Sequence, residues 1–262
     1  MSSKIFQPIP GIALHLGPWE ELSPAIPSEG VDLITTSPPY NIGSKAPRKD
    51  GFRKQGKFDP KSFGAIRGYE DSLPEEVYQQ SQRDFLIACA SMLKPNGLIA
   101  YNHKNRHRGK ELISPHRWFP HDVLTLQDEI VLDRKSSHNN EKSFLQPTTE
   151  RLYIFKKSQE AKTYLNKSVT EMFTSTRDVW PFPIIKDTSA DRHCAPYDLK
   201  FAREVLFRYC PPGGLVCDPY SGSGTTMLAC YIEGRRFIGT EKLEKWFNKS
   251  ISRFNCLSEG KK

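Results

Sequence analysis

The sequence lacks the spacings that hold metals or disulfide frameworks: none of its six cysteines (Cys89, Cys194, Cys210, Cys217, Cys230 and Cys256) stands in a Cys-x-x-Cys pair. No metal site and no cross-linked secreted scaffold is therefore expected, and a reducing cytoplasm is the default location. No apolar run is long enough to cross a bilayer and no signal-peptide core is present, so the expectation is a soluble protein that is not exported. No internal repeat is visible. Acidic residues are the scarcer charge, 30 Asp and Glu against 38 Lys and Arg, and the resulting net charge of +8 suits a polyanionic partner. At 262 residues the chain can bury one sizeable core, as one α/β domain with a small added element.

What is present centres on Thr35-Thr36-Ser37-Pro38-Pro39-Tyr40-Asn41, directly after the apolar run Val31-Asp32-Leu33-Ile34. The run reads as a buried strand. Two successive prolines cannot continue a strand ladder, so the strand ends there and the chain turns. Proline has no N–H, so the turn offers carbonyls without their usual donors. Beside them stand the Ser37 hydroxyl and the Tyr40 ring. Acceptors converging at the end of a strand, with a flat ring alongside, suit a planar base bearing an exocyclic amine. Alone, a two-proline turn in a chain with 20 prolines would carry little.

A second stretch changes that. Leu215-Val216-Cys217-Asp218 reads as a strand entering the turn Pro219-Tyr220-Ser221-Gly222-Ser223-Gly224-Thr225-Thr226, and a helical run follows from Met227 to Glu233. Gly222 and Gly224 permit backbone conformations and close ligand approach that a Cβ would forbid. The helix N-terminus adds N–H groups that favour an anion. Arg236 to Glu241 is the next strand, and an acid at its end is where doubly wound nucleotide-binding folds hold a ribose.

Together these residues resemble the amino-group DNA methyltransferases that use S-adenosylmethionine. In that family the catalytic motif is Asp, Asn or Ser followed by Pro-Pro and an aromatic, matched here by Ser37-Pro38-Pro39-Tyr40. The cofactor motif, Asp-Pro-aromatic-x-Gly-x-Gly, is matched by Asp218 to Gly224. The catalytic motif comes first, as in the circularly permuted β class, and Ser at its head is typical of cytosine-N4 enzymes. The resemblance implies a doubly wound, mostly parallel Rossmann-like sheet with helices on both faces and a small target-recognition insertion. It divides the chain into a catalytic half (1–157), a short target-recognition region (158–190) and a cofactor half (191–262). It implies catalytic roles for Ser37, Pro38, Pro39 and Tyr40. Contacts to S-adenosylmethionine would come from Asp218, Pro219, Tyr220, Gly222, Gly224, Thr225 and Glu241, with Pro196 closing over its methionine end and Gly17 beside its adenine. In this chain Pro18 replaces the acid that usually follows that glycine. No metal is implied, and no Pro-Cys nucleophile motif is present, so no cysteine adduct is expected. Double-stranded DNA is the expected partner, with a homodimer and a cognate restriction endonuclease as further candidates.

Elsewhere the chain gives coarser signals. Between Gly43 and Gly68 basic residues alternate with Gly, Pro and Phe without a period, which predicts a long mobile loop. It leaves from the catalytic turn, so Lys45, Arg48, Lys49, Arg53, Lys54 and Lys57 are candidate DNA-phosphate contacts that position without specifying. Glu75 to Leu93 reads as an amphipathic helix with Val77, Phe85, Ala88, Cys89 and Met92 on its apolar side. Lys94 to Gly97 would end it. Strands are expected at Ile12–Gly17, Leu98–His103, Ile130–Leu132 and Arg151–Lys156. Helical turns are expected after Trp19 and over Asp122–Leu126, and a helix over Leu199–Tyr209 with Phe201, Val205 and Leu206 inward. His103 and His107 are given no chemistry, since histidines in loops are most often solvated or simply hydrogen-bonded. Adenine N6, RNA and a protein amide remain alternative acceptors at this point.

Overall fold

The computed structural model describes residues 4–42, 71–108, 111–135, 145, 147–157, 177–183 and 198–260. Strands β1 (Ile5–Ile9) and β2 (Ile12–Leu16) form an antiparallel hairpin turned at Gly11, whose φ of +86° few side chains tolerate. Then come β3 (Val31–Thr36), helix α1 (Glu75–Met92), β4 (Leu93–His103) and a small hairpin of β5 (Arg106–Arg108) with β6 (Glu111–Ile113). β7 (Thr125–Asp133), β8 (Thr149–Lys156) and β9 (Val179–Trp180) follow. The chain continues through α2 (Leu199–Tyr209), β10 (Leu215–Asp218), α3 (Thr225–Ile232), β11 (Arg236–Glu241) and α4 (Glu244–Ser258).

Nine strands make one sheet in the order β1-β2-β11-β10-β3-β4-β8-β7-β9. The five central strands, β2 to β4 in that order, are mutually parallel, while β1 and β8 run antiparallel to their inner neighbours. The parallel strands are apolar on both faces because both are covered by helices. In β10, Val216 points into the layer formed with α2, α3 and α4, where Phe201, Val205, Met227, Phe247 and Phe254 pack. Leu215 and Cys217 point the other way, into the layer of α1 with Phe85, Leu86, Cys89 and Tyr101. Each fully buried Phe or Leu contributes about 1.5–3 kcal/mol to this two-sided core. The expected doubly wound, mostly parallel architecture is the one observed.

Direction matters most at the centre. From β3 the chain crosses through α1 to β4 on one side, and from β10 it crosses through α3 to β11 on the other. Neighbouring β3 and β10 therefore flank the topological switch point, where open α/β sheets leave a crevice at their carboxyl ends.

Three local expectations are corrected. Val77 is 53% exposed and outside the core; the buried stripe of α1 runs through Tyr78, Gln82, Phe85, Leu86 and Cys89. Tyr78 precedes Phe85 by seven residues, nearly two full turns, whereas eight residues bring Val77 about 80° round the helix. Residues 121–123 form a turn closed by the Pro120 carbonyl, and β7 starts at Thr125, so no helix spans Asp122–Leu126. Leu93 is already extended and opens β4, with a bulge opposite Val31–Leu33 absorbing the Lys94–Gly97 segment that was expected to precede the strand.

Candidate active site

β3 ends at Thr36, and the next four residues fold back on themselves: Ser37 Oγ lies 2.8 Å from Tyr40 Oη. The Pro39 carbonyl accepts from Tyr78 Oη at 2.8 Å, and Tyr78 Oη lies 2.6 Å from His103 Nε2. A carbonyl can only accept, so Tyr78 donates to it and His103 donates from Nε2. His103 Nδ1 then accepts the Lys104 N–H at 2.8 Å. Burial lowers the His103 pKa to about 3, so the ring is neutral and the chain of three hydrogen bonds runs in one direction. The Tyr40 and His103 rings are 4.5 Å apart, and Lys104 Nζ lies 5.6 Å from the Tyr40 ring centre. His103 is thus part of the frame of the turn, which its sequence context did not disclose.

The far end of the turn is clamped as firmly. Asn41 is left-handed, with φ +55°, a conformation its short amide tolerates better than most side chains. Its carbonyl accepts Arg108 Nη2 at 2.6 Å and Arg106 Nη1 at 3.4 Å, and its amide donates to the Leu73 carbonyl at 3.0 Å. Arg106, buried with its guanidinium 4.7 Å from the Tyr78 ring centre, makes a two-pronged pair with Glu75 at 2.7 and 3.0 Å. Burial works against the Glu75 charge, but hydrogen bonds from Arg106 and Gln79 hold its carboxyl below the usual range.

Next to this turn, the loop after β10 is built around two buried carboxylates. Asp218 accepts the Tyr220 N–H at 3.1 Å and the Thr226 hydroxyl at 2.6 Å, tying the loop to the first turn of α3. Complete burial still raises its pKa to about 6. Glu241, at the end of β11, accepts the Gly222 N–H at 2.9 Å and the Leu243 N–H at 2.7 Å. Its own carbonyl accepts the Gly17 N–H at 3.0 Å. Gly222 and Gly224 have φ of +53° and +77°, and a Cβ on Gly224 would lie 2.8 Å from the Ser250 side chain. Ser250 donates to the Gly222 carbonyl at 3.0 Å, while Arg253 bonds the Ser223 carbonyl at 2.6 Å and the Thr225 hydroxyl at 3.0 Å. The Pro219 carbonyl accepts from Thr240 Oγ1 at 2.8 Å, and the Tyr220 ring packs edge-on against Phe85.

Ser37 to Tyr40, Asp218 to Thr225, Glu241 and Gly17 are thus gathered at the carboxyl edge of β2, β11, β10 and β3. Pro196 and the basic residues Lys45, Arg48, Lys49, Arg53, Lys54 and Lys57 lie outside the described residues. The structure adds Tyr78, Asn102, His103, Arg106 and Arg108 to the neighbourhood of the turn. The sequence assigned none of these five a part in the site, although Asn102 and His103 close the strand expected over Leu98–His103 at the same edge. Among the described residues no group of three or more His, Cys, Asp or Glu could hold a metal ion.

Residues 31–252 match the N6/N4 methyltransferase family model, described as DNA methylase. Among curated proteins, the Type II methyltransferase M.ScaI of Streptomyces caespitosus is 24% identical over 95% of this chain and 83% of its own. The Type II methyltransferase M.BglI of Bacillus subtilis is 34% identical over 110 residues, which are 40% of this chain and only 31% of that relative's length. Among solved structures, the PvuII DNA methyltransferase, titled cytosine-N4-specific, shares the fold with a TM-score of 0.71 at 17% identity, covering 93% of this chain and 86% of that one. The complex of M1.HpyAVI with SAM has a TM-score of 0.59 at 19% identity, covering 92% and 98%.

Proposed function

The chain belongs to the N6/N4 DNA methylase family, and from that premise we propose that it methylates the exocyclic N4 amine of cytosine in double-stranded DNA, on a base turned out of the helix. The observation that carries this reading is the adjacency of two half-sites at the switch point: the acceptor-rich Ser37–Tyr40 turn after β3 and the glycine cradle after β10. Ser37 at the head of the turn, and the overall likeness to a methyltransferase titled cytosine-N4-specific, favour cytosine over adenine.

The cradle fits S-adenosylmethionine. Gly222 and Gly224 are left-handed, and at Gly224 the Ser250 side chain fills the place a Cβ would take, so the loop holds a close, glycine-only path beside the cofactor. Glu241 accepts the Gly222 and Leu243 N–H groups and stands at the end of β11, the position at which doubly wound folds hold a ribose. Gly17, Asp218, Pro219, Tyr220, Gly222, Gly224 and Thr225 shape the rest of the cradle. The bound cofactor supplies an electrophilic methyl group.

The protein's own work is on the amine. A nucleobase amine is a poor nucleophile because its lone pair is delocalised into the ring. Ser37 Oγ and the Pro38 carbonyl accept its N–H groups, which favours a pyramidal nitrogen with a localised pair. The Pro39 carbonyl already accepts from Tyr78. Tyr40 stacks on the extruded base, a contact worth roughly 1–3 kcal/mol in comparable base–aromatic pairs. Holding both reactants in line contributes on the order of 7–11 kcal/mol of barrier reduction in favourable cases. Lys45, Arg48, Lys49, Arg53, Lys54 and Lys57 contact phosphates and set the register on the duplex. A homodimer and a cognate restriction endonuclease fit this role as further partners.

The test is methyl transfer to unmethylated DNA, followed by digestion and mass spectrometry of the nucleosides. N4-methylcytosine is the expected product. N6-methyladenine would overturn the choice of base, and unmodified DNA the proposal as a whole.

A further inference from the structure

The sheet continues past the catalytic turn on the side away from the glycine loop, through β4, β8 and β7. β7 and β4 both run antiparallel to β8, so the end of β4, the start of β8 and the end of β7 share the edge that carries Ser37 and Tyr40. Asn102, Glu150 and Arg134 stand there, and neither sequence motif accounts for them. Asn102 Nδ2 donates to Tyr40 Oη at 2.8 Å and to Glu150 Oε2 at 3.3 Å. Arg134 Nε lies 3.9 Å from Glu150 Oε1, an ion pair too long to be a hydrogen bond. The Arg134 side chain is only 13% exposed, and its buried Nε has no hydrogen-bond partner among the described residues. Asn102 Oδ1 is buried without a partner as well. An unmatched donor and an unmatched acceptor beside one carboxylate carry a cost of burial that a ligand with both kinds of group would remove.

We propose that Arg134, beside Glu150, is a specificity-determining residue that donates to the O2 carbonyl of the extruded cytosine. This rests on the function proposed above and deepens it by giving the site a means of refusing adenine. Cytosine and adenine, placed with the amine at Ser37, both present a ring nitrogen next to that amine. The following ring position differs: it is a carbonyl in cytosine and a C–H in adenine. The carbonyl takes up the idle Arg134 donor. A C–H leaves that donor buried and unmatched, and sites built to hydrogen-bond a substrate reject an analogue that lacks the group far more strongly than apolar pockets do. Two features favour a base over a DNA phosphate. The Arg134–Glu150 pair is electrically neutral, whereas a phosphate would meet the Glu150 charge. A phosphate also only accepts, so it would leave Asn102 Oδ1 unmatched, whereas a base edge carries donors and acceptors together.

The experiment is a cycle on the full chain that pairs one protein change with one substrate change. Arg134→Met keeps an unbranched side chain and removes the donors; 2-thiocytosine at the methylated position keeps the base and replaces O2 by a sulfur that accepts weakly. Each change alone should lower kcat/KM for DNA about tenfold, with S-adenosylmethionine affinity by calorimetry unchanged. Together they should cost no more than either alone, because both remove the same contact. The preference for cytosine over adenine at that position should narrow in Arg134→Met by the same factor. Losses that multiply, or an Arg134→Met enzyme with wild-type kcat/KM, would overturn the proposal. So would equal losses on every base with a salt slope of DNA binding lower by about one, the signature of a phosphate contact. Should Arg134→Met not fold, the wild type on 2-thiocytosine decides alone: an undiminished rate counts against the contact. A wild-type protein whose product is N6-methyladenine is a separate outcome, which removes the underlying reading and this inference with it.

Discussion

At the scale of single residues, the candidate site divides into atoms that would touch a base and atoms that hold those in place. Ser37 belongs to the first kind. On the proposed reading Ser37→Ala removes an acceptor at the reacting amine, and it should cut kcat by roughly a hundredfold while S-adenosylmethionine binding, read by calorimetry, stays at the wild-type level. Equal turnover would remove Ser37 from the chemistry. The second kind was nearly illegible beforehand. Ser37, Pro38, Pro39 and Tyr40 announce themselves as neighbours in the chain, and so do Asp218, Gly222 and Gly224. Tyr78, Asn102 and Arg106 meet the turn from 39 to 65 positions away, and Glu150 reaches it only through Asn102, so no local pattern links them to it. His103 was set aside as an ordinary polar residue. Its neutral, one-directional role depends on full burial, which only the packed sheet supplies.

Among the elements, the glycine loop after β10 is the least tolerant. Gly224→Ala combines a left-handed backbone with a Cβ 2.8 Å from Ser250. A destabilisation of about 1–3 kcal/mol and a matching loss of cofactor affinity should appear in thermal melts and calorimetry. Helix α1 gives the opposite contrast along one element. Val77→Ala should stay within about 0.5 kcal/mol of wild type, since Val77 is in solvent. Phe85→Ala, in the core of the same helix, should cost about 3–5 kcal/mol in denaturant titration. A large effect at Val77 would mean that the face of α1 has been misassigned. Elements with a sustained period, such as α1, α2 and the central strands, were legible for that reason. The segment 122–126 was misread as helical because five residues hold too little periodicity to separate a turn leading into a strand from a helix. α4 and the β5–β6 hairpin gave no usable signal, the hairpin because three-residue strands are shorter than any pattern.

For the molecule as a whole, two buried groups pull stability in opposite directions as pH changes. Asp218, raised from 3.8 to about 6, binds its proton more tightly when folded, so its contribution is present below pH 3.8 and is lost as pH rises toward 6. His103, lowered from 6.5 to about 3, is held neutral by the fold; its contribution is present above pH 6.5 and is lost as pH falls toward 3. Between about pH 4 and 6 the two slopes cancel. Asp218→Asn keeps the acceptor for Tyr220 and removes one slope, so its stability relative to wild type should rise with pH across that window by about 1.4 kcal/mol per unit. Parallel curves for variant and wild type in pH-resolved melts would show that Asp218 is ionised in the fold. The net charge of +8 acts at the same scale: DNA affinity should fall steeply as salt is raised, in proportion to the phosphates contacted.

The hydrogen-bonded pairing of β3 with β10, Leu33 beside Val216 and Ile34 beside Cys217, has one more consequence. Neighbouring strands stand about 4.8 Å apart, a spacing fixed by backbone bonding. The sheet is therefore the ruler that sets the gap between the turn after β3 and the glycine loop after β10, the two halves of the proposed site. Side-chain changes in either loop can weaken one grip or the other but cannot lengthen that ruler. Heat removes it only by parting the central strands, which is unfolding itself. Catalytic activity should accordingly persist on warming up to the global transition and disappear with it, without an earlier phase in which the fold survives and the active site does not.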